Sequence, residues 1–295
     1  MNGILIVDKP EGWTSHDVVA KLRSALREKR VGHGGTLDPL ATGVLPVFVG
    51  RATRAAEFAA SAEKRYLAGI RFGMTTDTQD ITGSVLTSGG GSLSESALAA
   101  LLPRFLGPQM QLPPMYSAIK VNGRKLCDVA RRGGTVERAP RSIEIKSLSI
   151  AGADGGDWLL DVICSKGTYI RTLCADIGEA AGCGAVMSSL RRTAAGRFSI
   201  GDAAPLPELL SAAQRGEAER YLRPTDSLFS DLPAVTAEGE QLRRCLNGND
   251  YPAGLPDGLY RVYAPDGGFL MLGRAGDGTM HTVKSFFDAA APQKD

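Results

Sequence analysis

The chain has 295 residues, 43% of them hydrophobic and 22% charged, which suffices for one large buried core and a small second domain. No run of about 18 apolar residues occurs, and the start MNGILIVDKP carries neither a basic leader nor a small-residue cleavage site, so a membrane span and a signal peptide are not expected and a cytoplasmic location is. Five cysteines without a C-x-x-C pair, and three histidines at no ligand spacing, argue for reduced thiols and against a metal centre.

The net charge of +2 leaves a polyanionic partner open, because clustering matters more than the sum. Lys21, Arg23, Arg27, Lys29 and Arg30 form one basic cluster. Arg124, Lys125, Arg131, Arg132, Arg138 and Arg141 form a second, and Arg191, Arg192 and Arg197 a third. Taken singly, each reads more readily as a solvated face than as a phosphate-binding surface.

Ile4 to Val7 predicts a strand. Thr14 and Asp17 have capping-box spacing, and Val18, Leu22 and Leu26 place an apolar stripe on the helix that follows. A glycine-rich loop, Gly32 to Gly35, comes next, then a strand from Val44 to Val49. Tyr66, Ala68, Ile70 and Phe72 alternate as in a half-buried strand. Ser88 to Ser92 reads as a flexible connector, and Ser92-x-x-Glu95 as the capping box of a helix carrying Leu98, Leu101, Leu102 and Phe105.

Residues 121–141 hold the second basic cluster with no sustained apolar period and read as an exposed basic insertion. Ile143 to Ile150 and Trp158 to Cys164 predict paired strands around a Gly/Asp turn, and Thr168 to Ala181 a helix stopped by Gly182. The pattern breaks near Arg223-Pro224. The expected division is a catalytic domain over 1–230 and a small β-rich domain over 232–293, with a short helix near Glu238 to Leu246 and hairpin signals at Pro265 to Gly268 and Gly276 to Gly278.

The segment GHGGTLDPLATG, Gly32 to Gly43, carries the most information. It lacks the Gly-Lys-Ser/Thr of a P-loop, and Leu37 stands where a dinucleotide fingerprint needs glycine. What remains is Asp38, fixed by Pro39, in a loop that backbone or a base can approach closely. Such a carboxylate can serve as a nucleophile, as in glycosyl transfer, or simply form a turn. A glycosidase would need a second, acidic carboxyl, for which Asp77 and Asp80 are the candidates.

Asp8-Lys9-Pro10, the block from Gly32 to Pro46, Lys64-Arg65-Tyr66, Thr76-Asp77-Thr78 and Ser165-Lys166-Gly167-Thr168-Tyr169-Ile170-Arg171-Thr172 stand in this order. Together they resemble the TruB-type tRNA pseudouridine synthases, over roughly Met1 to Phe198. The later chain is loosely similar to a shortened PUA-type RNA-binding domain. Many members carry Thr where Gly34 stands, so a looser loop is expected here.

The resemblance implies an α+β fold: a mixed, largely antiparallel sheet flanked by helices, with the small C-terminal PUA-like β-domain. It implies an isomerisation of uridine 55 in the T-loop of tRNA, in which the N-glycosidic bond breaks, the base turns and carbon 5 is joined instead, with no metal or cofactor. Asp38 matches the nucleophile, Tyr66 the tyrosine that stacks on the flipped base, and Arg171 the arginine that pairs with the aspartate as a bidentate fork. His33 matches the histidine that enters the space the base has left. Asp80 and Leu190 match the uracil pocket, and Lys9 and Tyr169 the same site region. The implied partner is tRNA, through T-loop and T-stem, bound by a monomer without a protein partner. A pure RNA-binding protein with a dead site remains the rival reading.

Overall fold

The computed structural model describes residues 1–117, 119–121 and 123–287. Its first half runs through β1 (Gly3–Lys9), α1 (Ser15–Ala25), β2 (Val31–His33), β3 (Thr42–Val49), α2 (Ala56–Ser61) and β4 (Lys64–Phe72). A small hairpin, β5 (Met74–Thr76) and β6 (Val85–Ser88), leads to α3 (Glu95–Leu101) and β7 (Gly107–Gln111). The segment read as a basic insertion contains β8 (Lys120–Val121), β9 (Arg124–Lys125) and α4 (Leu126–Ala130). The long hairpin β10 (Arg141–Asp154) and β11 (Asp157–Cys164) follows, then α5 (Ile170–Ala180), β12 (Ala185–Ala195), β13 (Phe198–Ser199), β14 (Ala204–Pro205) and α6 (Leu206–Gln214).

Ten of these strands form one mixed sheet in the order β14-β1-β3-β12-β4-β11-β10-β7, with β2 on β3 and β13 on β12. Only the β1–β14 and β3–β12 pairings are parallel; the rest are antiparallel. Side chains alternate faces along a strand. Leu5, Val7, Leu45, Val47 and Val49 therefore join the core on one side, with Val18 and Leu22 of α1. Ile4, Ile6, Val44 and Phe48 join a second core on the other, with Ala59 of α2. Covered on both faces, β1 and β3 are nearly continuous apolar runs, as buried strands must be.

The chain then forms a second sheet, ordered β15 (Ala234–Thr236), β17 (Gly258–Tyr263), β18 (Phe269–Gly276), β19 (Thr279–Ser285) and β16 (Tyr251–Pro252), with α7 (Gly239–Leu246). It has a core of its own, built on Tyr260, Val262, Met271 and Met280. Leu272 and Phe286, however, pack into the core shared with Ile4, Phe48 and Phe198. Phe229 bridges the two, with its ring 5.2 Å from Phe58 and 6.1 Å from Phe286. Arg54 adds bonds from Nη1 to the carbonyls of Ser285 (3.1 Å) and Phe287 (3.0 Å).

Several expectations need correction. Helix α3 is capped by Ser94, whose hydroxyl accepts from the Ala97 amide at 3.3 Å, not by Ser92. The Ser88 to Ser92 connector is docked, since the Gly90 amide donates to the Gly73 carbonyl at 3.1 Å. Helix α5 begins at Ile170 rather than Thr168. The basic insertion is not wholly exposed: Leu126 is buried, and one turn of helix forms around it. Residues 288–293 of the expected C-terminal domain lie outside the described residues.

Candidate active site

Asp38 sits in the loop between β2 and β3, and each main-chain carbonyl from Gly35 to Pro39 has its own donor. Arg192 supplies two: Nη2 donates to Gly35 and Nη1 to Thr36, each at 3.3 Å. The Leu37 carbonyl accepts from Ser15 Oγ at 3.2 Å, and that oxygen accepts the Leu37 amide at 2.8 Å. The Asp38 carbonyl takes the Ala41 amide (3.1 Å), and that of Pro39 takes the Gly12 amide (2.8 Å) and Lys9 Nζ (3.3 Å). The capping box of Thr14 and Asp17 fixes the start of α1, which places Ser15 against the loop. A loop whose successive carbonyls are each held by a donor presents its side chain in one orientation.

Gly34 tightens the same loop instead of loosening it. Its amide donates to the Pro46 carbonyl at 2.9 Å. A Cβ on Gly34 would stand 2.7 Å from Ala59 Cβ and 2.9 Å from the Phe48 ring, so the glycine allows α2 and β3 to close on it.

Asp38 faces a cavity of about 660 Å³ that Tyr66, Asp80, Tyr169, Arg171 and Leu190 also line. Arg171, on the first turn of α5 and 5% exposed, stands with Nε 2.9 Å from Asp38 Oδ2. That contact is an ion pair without an aligned N–H; the directed bond is Nη2 to Oδ1 at 3.3 Å. The pairing is therefore looser than the expected two-point fork. The guanidinium is held independently by the carbonyls of Thr78 (3.1 Å) and Tyr116 (2.8 Å). Gln111 anchors the start of α5, accepting the Tyr169 amide at 2.8 Å and donating to its carbonyl at 3.1 Å.

Asp80 is buried and lies 3.9 Å from Arg171 Nε through Oδ2. Its Oδ1 accepts from Thr78 Oγ1 (2.9 Å), the Thr82 amide (3.0 Å) and Thr82 Oγ1 (2.5 Å). Oδ1 is thereby committed as an acceptor within its own turn, while Oδ2 faces Arg171. Asp77 does not line the cavity and is engaged by the Ser84 amide at 2.8 Å. Tyr66 is 8% exposed on β4, opposite Arg192 of β12 and Val162 of β11. Burial pushes its phenol pKa up, and the Arg192 cation is the main opposing influence.

A comparison of the sequence with family models matches residues 23–170 to the TruB family pseudouridylate synthase N-terminal domain and residues 171–230 to the tRNA pseudouridylate synthase B C-terminal domain. The chain belongs to the TruB family. Among curated relatives, tRNA pseudouridine synthase B of Clostridium kluyveri is 42% identical over 97% of this chain and all of its own length. The protein of the same name from Dechloromonas aromatica is 43% identical over 94% of this chain and 93% of its own. A crystal structure of a Cbf5-Nop10-Gar1 complex contains a similar chain, with a TM-score of 0.74 and 27% identity, covering 97% of this chain and 85% of that one.

Two of the residues that the TruB resemblance singled out lie apart from the cavity. Lys9 is fully buried, its ammonium donating to the carbonyls of Pro10 (2.8 Å), Trp13 (2.6 Å) and Pro39 (3.3 Å), so it clamps the loop from beneath. Burial lowers its pKa to about 8, against the pull of Asp38. His33 ends β2 and does not line the cavity. Burial, then the Arg192 cation, push its pKa down, which leaves the imidazole neutral at pH 7.

Arg192, Gln111 and Tyr116 escaped the sequence reading. Proximity in sequence groups Arg192 with Arg191 and Arg197 as one basic cluster. Arg192 is 1% exposed, while Arg191 pairs with Asp8 (2.8 Å) and Arg197 with Asp231 (3.0 Å). A signal existed: two residues after Leu190 on one strand, Arg192 falls on the same face as that buried residue. The first basic cluster is exposed, and Arg131 of the second reaches the rim of the cavity. Among the described residues no group of His, Cys, Asp or Glu could hold a metal ion, and no helix is long and apolar enough to cross a membrane.

Proposed function

We propose that the protein is a tRNA pseudouridine synthase that isomerises uridine 55 of the T-loop, with Asp38 as nucleophile. The observation that carries this reading is the convergence of Asp38, Arg171, Tyr66 and Leu190 on one cavity, at the centre of a TruB-family chain. A target uridine is flipped into that cavity. Asp38 attacks it, the N1–C1′ bond breaks, the base turns, and carbon 5 bonds to C1′; the Asp38 adduct is released, and the proton lost from carbon 5 is matched by one gained at N1.

In this reading Arg171 balances the carboxylate charge and stays on the Thr78 and Tyr116 carbonyls when Asp38 becomes a neutral adduct. Tyr66 stacks on the base, Leu190 closes the apolar wall, and Asp80 and Tyr169 border the uracil. His33 occupies the gap that the flipped base leaves in the RNA, and Lys9 supports the loop. The exposed cluster from Lys21 to Arg30 and the rim residue Arg131 supply phosphate contacts to T-loop and T-stem.

Residues 1–230 are the catalytic domain, and the second sheet, over 232–287, is a PUA-like RNA-binding domain. The protein works as a monomer in the cytoplasm, without metal, cofactor or protein partner. The test is incubation with an unmodified tRNA transcript and mapping of pseudouridine by position. Product at position 55 supports the reading; tRNA binding without product would favour a binding protein, and release of free base a glycosidase.

A further inference from the structure

We propose that Arg192 is a positioning residue of this reaction: it fixes the loop that presents Asp38 and holds a permanent buried cation at the strand position paired with Tyr66. The inference rests on the isomerase reading above. Its starting point is an arginine that is 1% exposed and that donates through Nε to Val44 (2.7 Å), Nη1 to Thr36 and Nη2 to Gly35 (both 3.3 Å), all main-chain carbonyls, with the Tyr66 phenol as its side-chain neighbour and no carboxylate bonded to it among the described residues.

Burying a cation without an anionic partner is costly, and neutral donors could satisfy three carbonyls. The charge is therefore the feature that needs a purpose. Its neighbours do not neutralise it. Lys9 of β1, His33 of β2 and Lys64 of β4 all feel its repulsion, and burial together with that repulsion lowers both lysines to about 8. Lys64 Nζ is likewise spent on the carbonyls of Ala59, Ala60 and Ala62. The groups facing Tyr66 are Arg192 from β12, Cys164 from β11 and Asp38 from the loop. A guanidinium keeps its charge where a buried ammonium or imidazole readily gives it up, which sets Arg192 apart from Lys9, His33 and Lys64.

The fork explains why arginine occupies the position. Two Nη atoms reach the consecutive carbonyls of Gly35 and Thr36 while Nε reaches back to Val44, so one planar group joins β3 to the residues just before Asp38. The strand pairing sets it there: β12 lies between β3 and β4, with Arg192 opposite Gly43 on one side and Tyr66 on the other. A Cβ on Gly43 would come within 2.2 Å of the Arg192 carbonyl, so the approach of the two strands depends on that glycine.

The test compares Arg192→Lys and Arg192→Gln with the wild type by single-turnover pseudouridine formation on unmodified tRNA, tRNA Kd, thermal melting and pH–rate profile. The Gln variant keeps donors but no charge, and is expected to react about 100-fold more slowly with Kd within about threefold. The Lys variant keeps a charge without the fork and should react faster than the Gln variant. A lysine at this position would be buried beside Lys9 and Lys64, where burial and repulsion disfavour the ammonium, so the Lys variant should lose rate relative to wild type as pH rises.

Equal rates for the two variants, or a Lys profile parallel to wild type, would overturn the proposal. So would a rate loss matched by an equal loss of tRNA affinity. If the Gln variant fails to fold, the Lys profile decides alone. A wild-type enzyme that forms no pseudouridine would instead sink the isomerase reading.

Discussion

Arg171 and Asp38 are 133 residues apart in the chain, yet Arg171 Nε stands 2.9 Å from Asp38 Oδ2. The arginine is 5% exposed and the aspartate 36%, so the pair has a dry side and an open side. The carboxylate is turned toward the cavity while its counter-charge is braced from behind by the carbonyls of Thr78 and Tyr116. A nucleophile needs that asymmetry: it must be held and still be reachable.

Replacing Asp38 by Asn keeps the shape and removes the proposed nucleophile. Pseudouridine formation should fall by at least about 10³-fold, while tRNA affinity changes no more than about threefold. Single-turnover product formation and filter binding, read on one preparation, check both halves. Appreciable residual turnover would show that another group attacks the uridine.

Arg171→Met should cost both activity and stability. Two half-buried carbonyls lose their donor and Asp38 loses its counter-charge, a penalty of about 1 to 3 kcal/mol in denaturant unfolding. If Arg171→Lys recovers the stability but not the rate, the planar guanidinium rather than the charge serves the chemistry.

Gly34→Thr should be destabilising by about 1 to 3 kcal/mol, because the new Cβ meets Ala59 and Phe48. Adding Ala59→Gly opens the space, so the double variant should be less destabilised than the sum by about 1 kcal/mol. Strict additivity in a double-mutant cycle would mean that the loop yields elsewhere.

Asp176 gives a pH test remote from the chemistry. Burial, with Glu179 beside it, raises its carboxyl pKa from 3.8 to about 6. The folded state thus favours the protonated acid. The associated stability is full below 3.8 and is lost as pH rises through about 6. Asp176→Asn needs no proton, so it should be neutral near pH 4 and stabilising by about 1 to 2 kcal/mol near pH 7.5, the figure being reduced for partial exposure. Parallel stability curves for variant and wild type would rule this out.

Phe286→Ala removes a ring from the core that the second sheet shares with β1 and β3. A loss of about 3 to 5 kcal/mol is expected. Deleting the chain from Leu232 onward would strip Leu272 and Phe286 from that core, so the truncated protein should melt lower or aggregate. A truncated chain melting like the full one would mean that the two sheets are energetically independent.

Where sequence and structure agree, a short-range rule was at work. Alternation gave β4, a capping box gave α1, and Gly182, with φ at 75°, ends α5 as expected. The motif blocks named Asp38, Tyr66, Arg171, Asp80, Tyr169 and Leu190, and all six border one cavity. What stayed hidden depends on distant pairing. Nothing local tells that Lys9 spends its ammonium on carbonyls of two loops, or that Arg191 pairs with Asp8. Gly34 shows the same limit, because its effect is fixed by Ala59, twenty-five positions away.

The place of β12 in the sheet has a bearing on synthesis. It pairs on one side with β3 and on the other with β4, both of which precede it by more than a hundred residues. Until about residue 195 has left the ribosome, the β1–β3 unit and the β4–β11–β10 unit each carry an unpaired edge next to the future site. Open edges of that kind recruit other chains. The strand that completes the cavity is also the one that closes the sheet, so a nascent chain halted before it would be both inactive and adhesive, and β12 should mark the step at which this protein needs a chaperone most.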